Sequence, residues 1–243
     1  MLAFSHAVVH VFEGNDLGGS PQVVARSVPS RQGKGHDTLL IFLDFPNASA
    51  QVCAELAQML IEGYTRAPGG ITSSLRLAIN LVNDRAMQLN RGAVPSRRIE
   101  GSVSCALLSD DSLILAQAGP AIAFARAASG AFEVIEPWFS NNQPQWVGAA
   151  SRVDVFFNHF SVNPGDVFVL SGRRSLEGVG EELIEACMSK GEARLVAGYL
   201  NANVKRGRMV GVVIAAETPS ATRTAPASSA PVMENTTPSA RQT

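Results

Sequence analysis

Apolar residues change their spacing several times along this chain, and the order of those changes constrains the fold more than any single motif. Residues 7–12, 23–25 and 39–43 are β-branched and aliphatic runs, separated by turn residues at Gly14-Asn15-Asp16, Gly18-Gly19 and Gly33-Lys34-Gly35. Such runs read as strands. Leu39 to Leu43 has no polar interruption, which predicts a strand buried on both faces. The period then becomes helical. Val52, Leu56, Met59 and Leu60 make one apolar face behind Asn47 or Ser49 as the N-cap, and Pro68-Gly69-Gly70 ends that element. Leu75, Ile79, Val82, Ala86 and Leu89 continue at helical spacing behind Thr72 or Ser73.

Strands return at residues 102–108, 113–118, 121–126 and 132–135, with tight turns between them. This predicts an antiparallel meander. After a loop holding Trp138 and Trp146, residues 153–160 and 167–170 read as strands. Residues 179–188 and 192–200 read as helices, and residues 209–216 as a closing strand. Runs of strands alternate with pairs of helices, so the expected class is α+β. The predicted architecture is two stacked, largely antiparallel sheets flanked by helix pairs. Residues 1–217 form one domain in this reading. Residues 218–243 are almost all Ser, Thr, Pro and Ala without an aromatic side chain, which predicts a disordered tail.

Charge narrows the function. Lys and Arg number 20 against 21 Asp and Glu, a net charge of −1. A protein held to nucleic acid by its backbone charge needs a basic excess, so that class is excluded. No apolar run approaches a membrane span, and the first residues lack the pattern of a signal peptide. The chain is expected to be cytoplasmic. Cys53, Cys105 and Cys187 are too far apart in sequence for a zinc motif and too few for a disulfide framework, so they read as buried thiols.

Local motifs add little chemistry. Gly33-Lys34-Gly35-His36 lacks the upstream glycine and following Ser or Thr of a phosphate loop, and reads as a hairpin turn. His6 and His10 lie in a strand pattern without a partner ligand. Asp110-Asp111 falls in a turn, where Asp is favoured for backbone reasons. No Gly-x-Ser-x-Gly elbow is present.

Several landmarks, in order, resemble the PPM-type metal-dependent protein phosphatases (protein phosphatase type 2C) over residues 20–216. Leu39-Leu40-Ile41-Phe42-Leu43-Asp44-Phe45 resembles the strand that ends in the family's Asp-Gly metal motif. Gly101-Ser102-Val103-Ser104-Cys105-Ala106 is similar to its Gly-Ser/Thr-Thr strand. Leu115-Ala116-Gln117-Ala118-Gly119 resembles the strand before its Gly-Asp-Ser-Arg turn. Pro164-Gly165-Asp166 with Val167 to Leu170 resembles the strand leading to Ser-Asp-Gly.

The resemblance implies a site of acidic residues holding two Mg²⁺ or Mn²⁺ ions. Of those positions only Asp44 matches, as a vestigial ligand. Phe45 replaces the following glycine, and Gly119-Pro120-Ala121-Ile122 replaces Gly-Asp-Ser-Arg. Gly172-Arg173-Arg174 stands for Ser-Asp-Gly, and the closing Asp-Asn is replaced around Gly207-Arg208. The early phosphate-binding Arg and the Glu-Asp have no match between Ser20 and Asp37. The reading is a fold relative without metal or catalytic residues, acting through a protein partner. Arg173 is expected beside Asp44, a fixed cation in place of the metals. Two other readings are an active Mg²⁺ or Mn²⁺ phosphatase using Asp44 with Asp37 or Asp154, and a phosphate or phosphopeptide reader using Arg173 and Arg174.

Overall fold

The computed structural model describes residues 2–33, 35–138 and 145–218. Lys34 of the expected hairpin turn and nearly all of the expected tail lie outside the described residues.

Two antiparallel sheets stack between two helix pairs. Strands β1 (Ala3–Phe12), β2 (Asn15–Asp16), β7 (Ala121–Arg126), β8 (Phe132–Ile135), β10 (Val167–Glu177) and β11 (Arg208–Glu217) form a six-stranded sheet in the order β2-β1-β11-β10-β7-β8. Strands β3 (Val23–Pro29), β4 (His36–Asp44), β5 (Ser102–Ser109), β6 (Ser112–Ala118) and β9 (Val155–Ser161) form a five-stranded sheet in the order β3-β4-β5-β6-β9. Helices α1 (Ala50–Arg66) and α2 (Ile71–Leu89) cover the five-stranded sheet. Helices α3 (Glu181–Met188) and α4 (Ala193–Asn203) cover the six-stranded one.

The unbroken apolar run of β4 now has its cause. Leu39, Ile41 and Leu43 pack against Leu56, Leu60, Leu75 and Ile79 of the helices. Leu40 and Phe42, on the opposite face, pack between the sheets with Leu115, Leu170, Val212 and Ile214. A strand that meets a helix layer on one side and a sheet on the other has no face for water. No helix among the described residues is long and apolar enough to cross a membrane.

Ser49 is the N-cap of α1, and its hydroxyl accepts the Val52 N–H at 3.3 Å. Helix α2 starts earlier than its Ser and Thr residues suggested. Gly70 is its N-cap, and the Ser73 and Ser74 hydroxyls both donate back to the Gly70 carbonyl at 2.8 Å. Pro164-Gly165-Asp166 has a structural role. One carboxylate oxygen of Asp166 accepts the Ala128 N–H and the other the Asn163 N–H, each at 2.8 Å, fastening the β9–β10 turn to the end of β7.

The expected meander is corrected. Strands β5 and β6 belong to one sheet, β7 and β8 to the other. The chain changes sheets at Gly119, whose φ of +75° only glycine adopts without cost. Strand β10 also runs past Leu170 to Glu177, because pairing with β11 resumes at Leu176 after a break beyond Ser171.

Arg31 fastens the end of α1. Its guanidinium donates to the carbonyls of Tyr64, Thr65, Ala67 and Gly69 and stacks 4.9 Å from the centre of the Tyr64 ring. The Tyr64 and Thr65 carbonyls lie in the last turn of α1, where helical donors run out, so a cation there satisfies them and complements the dipole of that helix. Arg31→Ala is expected to cost about 2 kcal/mol, read as a lower urea midpoint with unchanged m.

Candidate functional site

The site is the end of the sandwich where β4, β5 and β10 meet. Asp44 is the last residue of β4 and stands in register with Ser102 of β5. Even-numbered residues of β4 point between the sheets, as Leu40 and Phe42 do, so Asp44 points there too. It is 1% exposed. The Ser175 hydroxyl donates to Asp44 Oδ1 at 2.8 Å, while Oδ2 has no hydrogen-bond partner.

Gly172 of β10 lies directly against this carboxylate. A Cβ at Gly172 would sit 2.0 Å from Asp44 Oδ2 and 2.5 Å from its Cγ, closer than any real contact. The two sheets therefore approach each other closely at this point. Burial pushes the Asp44 carboxyl above the ordinary carboxylate range. The Ser175 hydroxyl, the charges of Arg208 and Arg174, and the Arg174 backbone N–H offset part of that effect. Around Asp44, the Ser102 and Ser104 hydroxyls and both polar atoms of the Gln117 amide are buried without a partner.

These residues do not fit a dinuclear Mg²⁺ or Mn²⁺ centre. Such ions take several hard oxygen ligands, chiefly carboxylates. Among the described residues no group of three or more His, Cys, Asp or Glu side chains could hold a metal ion. Asp37 is the second residue of the strand that Asp44 ends. Seven steps of strand separate them, about 23 Å at 3.3 Å per residue, and Asp37 accepts the Ser109 hydroxyl instead. Asp154 is exposed, and its N–H donates to the Gln145 side chain at 3.4 Å.

Arg173 stands elsewhere than expected. Arg173 pairs with Glu136, just beyond β8, and its backbone N–H donates to the Pro120 carbonyl at 3.0 Å. Its side chain is 56% exposed. It is Gly172 and Ser175 that reach Asp44, and the charges acting on Asp44 are those of Arg208 and Arg174. Arg174 stacks 3.8 Å from the centre of the Trp146 ring and donates to the Glu100 carbonyl at 3.1 Å. An incoming phosphate would compete with Glu136 for Arg173 and with Trp146 and Glu100 for Arg174.

Ser175 and Gln117 carried no catalytic motif, so sequence reading passed over them. The available signal was a polar residue inside an otherwise apolar strand, at Gln117 between Ala116 and Ala118. The three cysteines are free and buried, as expected.

No family model matches the chain, and no curated protein does. Solved structures do. PppA, a key regulatory component of the T6SS in Pseudomonas aeruginosa, superposes with a TM-score of 0.62 at 15% identity, over 88% of this chain and 97% of that one. The S. agalactiae serine/threonine phosphatase gives a TM-score of 0.62 at 10% identity, over 88% and 99%. The catalytic domain of the serine/threonine phosphatase PstP, solved with two manganese ions, gives 0.55 at 12% identity, over 89% and 99%. What the chain shares with them is the fold: two antiparallel sheets between helix pairs, the PPM-type phosphatase sandwich.

Proposed function

We propose that this chain is a non-catalytic protein of PPM phosphatase fold that works as a regulatory or interaction module. One observation carries the reading. The Asp44 carboxylate lies buried against Gly172 and Ser175, and among the described residues no group of three or more His, Cys, Asp or Glu side chains could hold a metal ion. A two-metal mechanism needs the ions to hold both the attacking and leaving oxygens, and a lone desolvated carboxyl provides neither site. PppA, described as a key regulatory component of T6SS, has a similar fold and supports the same kind of role here. The partner in this reading is another protein, and no cofactor is required.

The test is turnover of p-nitrophenyl phosphate and of a phosphoserine peptide with Mn²⁺ or Mg²⁺, alongside calorimetric titration of Mn²⁺. The expected results are hydrolysis at the buffer background and no heat of metal binding. Metal-dependent turnover that Asp44→Asn abolishes would overturn the proposal and favour an active phosphatase with a rearranged site.

A further inference from the structure

We propose that the cavity between the β7–β8 hairpin and the end of β9 binds a quaternary ammonium group, of the kind that choline carries. The cavity holds about 380 Å³, within the roughly 300–1,000 Å³ of small-ligand sites. It lies at the far end of the sandwich from Asp44. Strand β10 pairs with β7 from Gly172 and Ala121, at the Asp44 end, to Val167 and Arg126 at this one.

Three neighbouring strands give the cavity its shape. Glu133 of β8 stands opposite Ala125 of β7, and Ala125 stands opposite Phe168 of β10. Residues directly opposite one another share a face of the sheet. A carboxylate and a phenyl ring are therefore rooted about 10 Å apart, two strand spacings, with only a methyl group between them. That face lies between the sheets, where Ala125, Ile135 and Phe168 pack. From the other sheet Phe160 of β9 reaches the same layer, its ring centre 5.3 Å from that of Phe168 and tilted by 58°. Glu133, Ala125, Phe160 and Phe168 all line the cavity.

Charge and donor chemistry select the ligand. Glu133 is exposed, and among the described residues no cation pairs with it and no hydrogen bond reaches its side chain. Asp166 adds a second negative charge to the lining, while its oxygens hold the backbone N–H groups of Ala128 and Asn163. Arg126 also borders the cavity, but it stands opposite Phe132 on the other face of the hairpin, where the Phe132 and Phe124 rings stack 6.1 Å apart. The face between the sheets is thus anionic and aromatic. A primary ammonium brings three N–H donors that need acceptors, and phenyl rings and alanine methyls supply none. A quaternary ammonium has no N–H to satisfy and is attracted to ring faces, while Glu133 meets its charge at the mouth.

Calorimetric titration of the full chain with choline tests this, and saturable millimolar binding is expected. Ethanolamine, the corresponding primary amine, is expected to bind at least about fivefold more weakly. Glu133→Gln keeps the size of an exposed side chain and removes its charge. It is expected to weaken choline binding about fivefold with an unchanged melting curve. Phe160→Leu removes a ring face and is expected to weaken it by a similar factor, about fivefold. Sedimentation with phosphatidylcholine vesicles separates two sources of such a group: protein left in the supernatant means a free ligand, and protein pelleted and released by choline means a lipid headgroup. Benzoate probes the opposite assignment, an anion held by Arg126. The proposal is overturned by absence of choline binding, by choline binding that Glu133→Gln leaves unchanged, or by equal affinity for ethanolamine. Benzoate binding that choline displaces and Arg126→Gln abolishes overturns it as well.

Discussion

Gly172→Ala is expected to destabilise the protein by about 3 kcal/mol or more, enough to leave much of it unfolded near its working temperature. The added methyl would meet Asp44 at 2.0 Å from Oδ2, 2.5 Å from Cγ and 2.6 Å from Cβ. Neither side can yield easily. Gly172 is held in the ladder opposite Ala121, and Asp44 is held opposite Ser102 in the other sheet. Relief would have to separate the two sheets, which are joined by a close-packed layer including Phe42, Leu170 and Val212. Urea unfolding measures the loss. A double-mutant cycle identifies its source: with Asp44→Gly the methyl has room, so the double variant should be less destabilised than the two single effects added. Simple additivity would mean that the closure of the cleft end on Asp44 is not what Gly172 serves.

The residues that define this sandwich were largely readable in order. Leu39 to Leu43 announced a strand with two buried faces, and Ser49 a helix start, because both signals are local. Pro164-Gly165-Asp166 was readable for the same reason: Asp166 closes its own turn through Asn163. What escaped was set by pairing at long range. The Gly119-Pro120 break looked like one more hairpin turn, since nothing in the neighbouring residues says which sheet the next strand will join. The continuation of β10 through Gly172-Arg173-Arg174 depends on β11, whose Met209 re-engages Leu176 after the break.

The candidate site followed the same division. The expected loss of the acidic residues was read position by position, from strand ends that resemble the family's. The replacement of metals by Arg173 was inferred from position alone, and the side chain turned to Glu136. A guanidinium that reaches an exposed carboxylate avoids the desolvation that pairing with a sealed Asp44 would cost. Gly172, the smallest residue, stands against Asp44 instead, and Ser175 provides the hydrogen bond.

Asp44→Asn is expected to stabilise the protein at neutral and alkaline pH while leaving it unchanged near pH 4. Burial holds the folded Asp44 carboxyl above its ordinary value of 3.8. Between the unfolded value and the raised folded value, the native state binds more protons than the unfolded chain. Stability from this group is thus fully present below the unfolded value and is lost as pH rises through the folded one. Each unit by which the carboxyl is raised corresponds to about 1.4 kcal/mol at the alkaline end. Asparagine keeps an acceptor for the Ser175 hydroxyl and removes the buried charge, leaving a neutral amide beside Gly172 where Oδ2 has no partner. Melting curves of both proteins from pH 4 to 9 should coincide at the acid end and separate steadily above it, with the variant higher. In a working metal site the same substitution removes a ligand and leaves pH-dependent stability to the remaining carboxylates. A variant that melts lower than wild type at pH 8 would mean that the Asp44 charge is compensated by Arg208 and Arg174 more fully than its burial allows.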